Sequence, residues 1–133
     1  MIVLDTHAAL WLADDNPSLG SHSLSMALKA REERQLAVSA ISFWEITLLA
    51  AKHRLELEQE PVALRSELLN TGIVELPLTG EIAILAVTLD KLHGDPADRF
   101  IAATAIVHKA TLITADRTLL RWRHSLRRQN AAK

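Results

Sequence analysis

The sequence predicts an α/β fold, a mainly parallel sheet of about four or five strands with helices covering both faces. Short β-rich runs recur at Ile2-Val3-Leu4, Leu36-Ala37-Val38, Ile73-Val74-Glu75-Leu76 and Thr111-Leu112-Ile113-Thr114. Helix-forming stretches of about ten or more residues separate them, as parallel pairing through right-handed crossovers requires. With 133 residues, 49% hydrophobic and 23% charged, the chain has the balance of one ordinary domain around one core.

Each element has a local cause. Ile2-Val3-Leu4 ends in Asp5 and runs into the helix-prone Ala8-Ala9-Leu10-Trp11-Leu12-Ala13. Asp14-Asp15-Asn16-Pro17 breaks that helix, and a second is predicted from the early twenties to the mid-thirties, with Leu24 and Leu28 four apart on one face. After the second strand, Ser42-Phe43-Trp44-Glu45 has the form of a capping box, which predicts a helix to about Lys52. Pro61 suits a first helical turn, and Asn70-Thr71-Gly72 a stop. Thr79 is placed to cap a helix whose buried face is Ile82, Leu85, Ala86 and Leu89, closed by His93-Gly94. Asp95 and Pro96 open a further helix through Val107, apolar nearly all round and therefore buried. No internal repeat or low-complexity linker interrupts this series.

Composition excludes several classes. There is no cysteine, so disulfides, thiolate metal sites and a cysteine nucleophile are ruled out. No apolar run is long enough to span a membrane, and the start lacks a signal-peptide pattern, so no membrane association and a cytoplasmic location are expected. The net charge is −1, but its distribution is uneven: residues 117–133 hold Arg117, Arg121, Arg123, Arg127, Arg128 and Lys133 with no acid. This basic tail on an acidic body suits either a phosphate backbone or plain solvation.

Asp5, Glu45, Asp98 and Asp116 stand apart from the other acids because each lies beside apolar sequence at an element end. Each alone can be a helix cap. As a set, two strand ends and two helix starts of a parallel sheet can converge on one rim, where ligands of such sheets gather. Four clustered carboxylates repel unless a cation neutralises them, and oxygen ligands without sulfur suit Mg2+, with Mn2+ as a substitute. Such ions activate water toward a phosphodiester, which is nuclease chemistry. The hydroxyls of Thr6, Ser39 and Thr114 lie near these acids in sequence, as supporting donors or as ordinary caps.

The order LDTH at 4–7, SAISFWEI at 39–46, DPADRFIAATA at 95–105 and TLITAD at 111–116 resembles the PIN-domain ribonucleases, specifically the VapC-type toxins. The resemblance covers residues 1 to 120, a PIN-like nuclease domain, and leaves 121–133 as a basic C-terminal tail, either part of the same domain or flexible. It implies a PIN-like three-layer sandwich and a Mg2+-dependent endoribonuclease in which Asp5, Glu45, Asp98 and Asp116 form the catalytic and metal-binding quartet. It also implies RNA as substrate, a small cognate antitoxin as partner and a homodimer. Asp95 fits a helix cap better than a ligand, though it lies close enough to act through water. The family commonly adds a short strand after the fourth acid, whereas Arg121 to Arg128 has no convincing β alternation, so the sequence leaves that final strand open.

Other conspicuous residues have plainer explanations. The six histidines lack the close pairing of zinc sites; His7 suits packing at a helix start or contact with a substrate, and His93 a helix end. Trp11 and Trp44 suit core or dimer packing, Trp122 and Leu126 a helix anchor or, for Trp122, contact with unstacked bases. Lys52-His53-Arg54 and the acids Glu56, Glu58 and Glu60 suit a solvated connection across which an antitoxin can lie. A phosphoaspartyl phosphatase is disfavoured because Thr6-His7, not an acid two positions on, follows Asp5. A non-catalytic, metal-holding module that binds RNA or a partner is the remaining alternative.

Overall fold

Side chains of successive strand residues point to opposite faces of a sheet, and here both faces are apolar. A computed structural model of the chain describes residues 1–92 and 94–133. Five strands, β1 (Ile2–Leu4), β2 (Leu36–Ser39), β3 (Val74–Leu76), β4 (Thr111–Thr114) and β5 (Arg128–Asn130), form one sheet in the order β3-β2-β1-β4-β5, and every pairing is parallel. Val3, Ala37 and Leu112 enter the core on one face, while Leu4, Leu36, Val38 and Ile113 enter the core on the other.

Seven helices lie among the described residues: α1 (Thr6–Ala13), α2 (Ser21–Glu32), α3 (Ala40–Ala51), α4 (Pro61–Asn70), α5 (Gly80–Thr88), α6 (Pro96–Val107) and α7 (Arg117–Arg121). Leu119, Trp122 and buried residues of α5 and α6 pack with Val3, whereas residues of α1, α2 and α4 pack with Leu4. The third helix serves both cores through Ile41 and Ile46. This is the expected three-layer α/β architecture.

The details depart from the sequence reading in three places. The helix after β2 is capped by Ser39, whose Oγ accepts the Ile41 N–H, so Ser42 lies inside the helix and the Ser42–Glu45 capping box does not form. Leu24 and Leu28 face outward, 36% and 37% exposed, because α2 packs through the smaller Ser23, Ala27 and Ala30. Of the two roles expected of Trp44, core or dimer packing, its 51% exposure excludes the core alone. The helix from Thr79 ends at Thr88, with Leu89 already extended; the closing role expected of His93 lies outside the described residues.

The final strand that the sequence left open exists as β5: Arg128, Gln129 and Asn130 pair with Leu112, Ile113 and Thr114. Before it, Trp122 and Leu126 are buried, but α7 ends at Arg121, so they anchor an irregular connection and no helix. The Trp122 indole N–H donates to Asp90 O at 2.8 Å, and its ring stacks on His124 with centroids 4.2 Å apart. No described helix is long and apolar enough to cross a membrane.

Candidate active site

The strand order places a topological switch at β1. From β1 the chain builds outward through β2 and β3 on one side, then through β4 and β5 on the other. In open parallel sheets such a switch leaves a crevice beyond the carboxyl ends of the two central strands. Asp5 directly follows β1 and Asp116 lies two residues past β4, so both occupy that crevice. A hollow of about 270 Å³ there is lined by Asp5, Thr6, His7, Trp11, Glu45, Asp95, Asp98, Ala115 and Asp116. All four acids singled out from the sequence are therefore brought together, and Asp95 joins them.

Three of the five carboxylates also hold helix starts. Asp5 Oδ1 accepts the Ala8 N–H at 2.8 Å, Asp95 Oδ1 that of Asp98 at 3.0 Å, and Asp116 Oδ1 that of Leu119 at 2.9 Å. Capping and lining the hollow are thus compatible, because a carboxylate has two oxygens. Glu45, in the second turn of α3, and Asp98, in the first turn of α6, cap nothing.

Hydroxyls orient the acids from behind. Thr114 Oγ1 donates to Asp5 Oδ2 and accepts the Asp116 N–H at 3.0 Å, tying the two strand ends together. Thr6 Oγ1 donates to Ser42 Oγ at 3.0 Å and also lies within reach of the Glu45 carboxylate; its single proton serves one acceptor at a time. Of the three hydroxyls noted in the sequence, Thr6 and Thr114 stand behind the acids and Ser39 is a cap.

Charge density is high for so enclosed a place. Burial, followed by the fields of Asp95, Asp116, Glu45 and Asp5, pushes the Asp98 carboxyl up to about 7. Burial also raises Asp5, against the hydrogen bonds from Thr114 and Ala8. Glu45 is raised by burial first, and then by Asp95 and Asp5. These shifts mean that burial and mutual repulsion disfavour the charged forms of these carboxyls in the ion-free protein. Among the described residues no three His, Asp or Glu side chains form a preformed ion cage. The donor set of carboxylate oxygens nevertheless suits a hard divalent cation, whose arrival would draw them inward.

Backbone features fix the Asp98 side of the hollow. Arg99 donates to four carbonyls, of Ala86 (2.7 Å), Leu92 (2.5 Å), Val87 (3.1 Å) and Leu89 (2.9 Å), and so clamps the first turn of α6 to the end of α5. Gly94 lies so close that a Cβ there would stand 3.1 Å from Asp98 Cβ. The sequence reading missed the hollow-lining role of Trp11, although His7 and Trp11 are four apart on α1 and so share a helix face.

The PIN domain family model matches residues 2–124. Ribonuclease VapC22 of Mycobacterium tuberculosis (strain ATCC 25618 / H37Rv) is 39% identical over 124 residues, 92% of each chain. Among solved structures, VapBC2 from Rickettsia felis bound to a DNA fragment from its promoter has a TM-score of 0.69 at 17% identity, covering 98% of both chains. FitAcB from Neisseria gonorrhoeae has a TM-score of 0.63 at 22% identity, again over 98% of both. At those identities the two structures speak for the fold, whereas the family match and the VapC22 relative span nearly the whole chain. The chain belongs to the PIN-domain family and stands among its VapC-type members.

Proposed function

We propose that this protein is a Mg2+-dependent endoribonuclease, the toxin of a type II toxin–antitoxin pair. The observation that carries the reading is the gathering of five carboxylates in one hollow at the switch point of the sheet. The relative named a ribonuclease supports RNA as substrate. Asp5, Glu45, Asp98 and Asp116 are the residues that hold Mg2+, with Mn2+ as a substitute, and Asp95 stands at their edge. When bound, the cation supplies Lewis acidity toward water and a phosphodiester oxygen. Thr114 keeps Asp5 and Asp116 in register, Thr6 steadies Glu45, and the Arg99 clamp holds Asp98 over the hollow.

Two surfaces support the proposed partners. A groove of about 450 Å³ has Leu10, Leu55, Leu57 and Leu64 within it and Asp14, Asp15, Glu56, Glu58 and Glu67 around them, chemistry that suits a basic amphipathic antitoxin segment. Relatives in fold solved as a toxin–antitoxin complex agree with such a partner. Self-association is supported by Ile84 and Val87 of α5, 70% and 78% exposed.

The test is cleavage of defined single-stranded RNAs and a tRNA pool by the antitoxin-free protein, with Mg2+ or Mn2+, with EDTA, and with Asp5→Asn. Ion-dependent cutting that the variant loses is expected. Tight RNA binding by folded, ion-loaded protein that cuts none of these substrates would overturn the enzyme in favour of the non-catalytic module.

A further inference from the structure

The basic tail divides by what its arginines touch. Arg128 donates to the carbonyls of Leu119, Trp122 and His124, closing the end of α7, and Arg127 donates to Lys109 O. Those two are structural. Arg117, Arg121 and Arg123 are exposed, and among the described residues none of the three has a side-chain hydrogen bond or an ion pair.

Their placement follows from topology. Because β4 and β5 are parallel, the chain must return from the carboxyl end of β4 to the start of β5, where Arg128 pairs with Leu112. The segment 117–127 makes that return, so it starts at the rim of the acidic hollow and descends along the β5 edge. Arg117 directly follows Asp116, which lines the hollow and caps α7. Arg121 is four residues on, on the same helix face and about 6 Å further along the axis, a step comparable to that between phosphates of an extended strand. Arg123 continues the line beyond buried Trp122, which donates to Asp90 O and stacks on the His124 ring.

The remaining difficulty for a nuclease of this shape is repulsion. A polyanion must approach five carboxylates, and a bound cation offsets only part of their charge. From this we infer that Arg117, Arg121 and Arg123 form a phosphate track that carries single-stranded RNA away from the hollow along the β5 edge. The inference rests on the ribonuclease reading and adds to it the path of the substrate. Guanidinium groups suit the task, since each offers a planar fork of donors to a phosphate.

The test uses full-length protein without divalent ions, binding a fluorescent single-stranded RNA from 50 to 300 mM salt, and then with Mg2+ for cleavage kinetics. A triple variant, Arg117→Gln with Arg121→Gln and Arg123→Gln, is compared with a control that removes the same charge at the opposite end of the sheet, Lys29→Gln with Arg34→Gln and Lys109→Gln. The track variant is expected to bind about tenfold or more weakly at low salt, with a log K against log salt slope shallower by about 2. Its KM rises while kcat is largely kept, and the control changes neither. A wild-type protein that cuts RNA while the track variant matches it in slope and KM overturns the track and leaves the ribonuclease reading intact. The track is likewise overturned if the variant loses only an acidic protein partner. Wild-type protein that neither binds nor cuts RNA overturns both.

Discussion

Two regions of this molecule each gather five acids, and they do opposite things with them. In the hollow at the switch point, Asp5, Asp95, Asp98 and Asp116 stand at helix starts, three of them as caps, with Glu45 in the second turn of α3, and burial raises Asp5, Glu45 and Asp98. In the groove beside α1 and α4, Asp14, Asp15, Glu56, Glu58 and Glu67 are exposed around leucines. Acid count alone does not mark a reactive site. Enclosure against polar backing does, because a charge in solvent is screened and a buried one must find a partner.

The comparison is sharpest in cleavage. Asp5→Asn or Asp98→Asn is expected to lower RNA cleavage by about a hundredfold or more, since even residues behind metal ligands are worth 10- to 100-fold. Asp14→Asn with Glu56→Gln should leave it within about twofold. Equal losses from the two pairs, measured as kcat/KM with folding checked by circular dichroism, would erase the distinction drawn here.

Thr114→Val comes next. It keeps the β-branched shape but leaves Asp5 Oδ2 and the Asp116 N–H without their common partner. Mg2+ affinity by calorimetry should fall about tenfold, with a stability loss of about 1–3 kcal/mol. Thr47→Val on exposed α3, where the hydroxyl donates to Phe43 O within the same helix, should cost neither.

Acidity offers a third handle. With Asp98 pushed up to about 7 from an ordinary 3.8, the folded protein holds a proton between about pH 4 and 7 that the unfolded chain releases. Ion-free protein should therefore lose stability as pH rises through that window, and raised Asp5 and Glu45 act in the same direction. Discounted for the partly exposed position of Asp98, the expected fall is on the order of 10 °C in Tm. Asp98→Asn should flatten it and Mg2+ should reverse it, while the groove variant keeps the wild-type profile.

The smallest effect expected is from Gly94→Ala. Its Cβ would crowd Asp98 at 3.1–3.2 Å, so a shift of a few tenths of an ångström in that carboxylate is enough to relieve it. A severalfold loss of cleavage with little change in Tm is expected, read by the same kinetic assay and a melting curve.

How much of this was legible in the sequence depended on where the information lay. Strands β1, β2 and β4 announced themselves because each is largely buried and rich in apolar residues, β3 through Ile73, Val74 and Leu76 around Glu75, and the Asp residues that end or cap elements were visible by position. Arg128-Gln129-Asn130 carries no such signal: an edge strand of polar residues, it is held by backbone pairing to β4, which local pattern does not show, and by an arginine reaching back six to nine residues to the end of α7. Ser39 and Ser42 present the same local chemistry; α3 starts at Ala40 with Ser39 as its cap, and the Ser42 hydroxyl instead accepts from Thr6, 36 residues away. Leu24 and Leu28 misled because the stripe of Ser23, Ala27 and Ala30 allows a closer approach than leucines permit. The hollow's membership was legible nearly in full, while its depth, and hence the raised Asp98, required the fold.

The caps at Asp5 and Asp116 bear on how such a protein can decay. Each of these side chains has a folding duty that outlives the chemistry, since Asn, Ser or Thr can start a helix as well as Asp. A descendant released from selection for cutting would keep one of those residues at positions 5 and 116, while Glu45 and Asp98, which cap nothing, would drift toward apolar residues that relieve their crowding. Retired copies of this gene would thus keep polar caps at positions 5 and 116 after positions 45 and 98 had turned apolar.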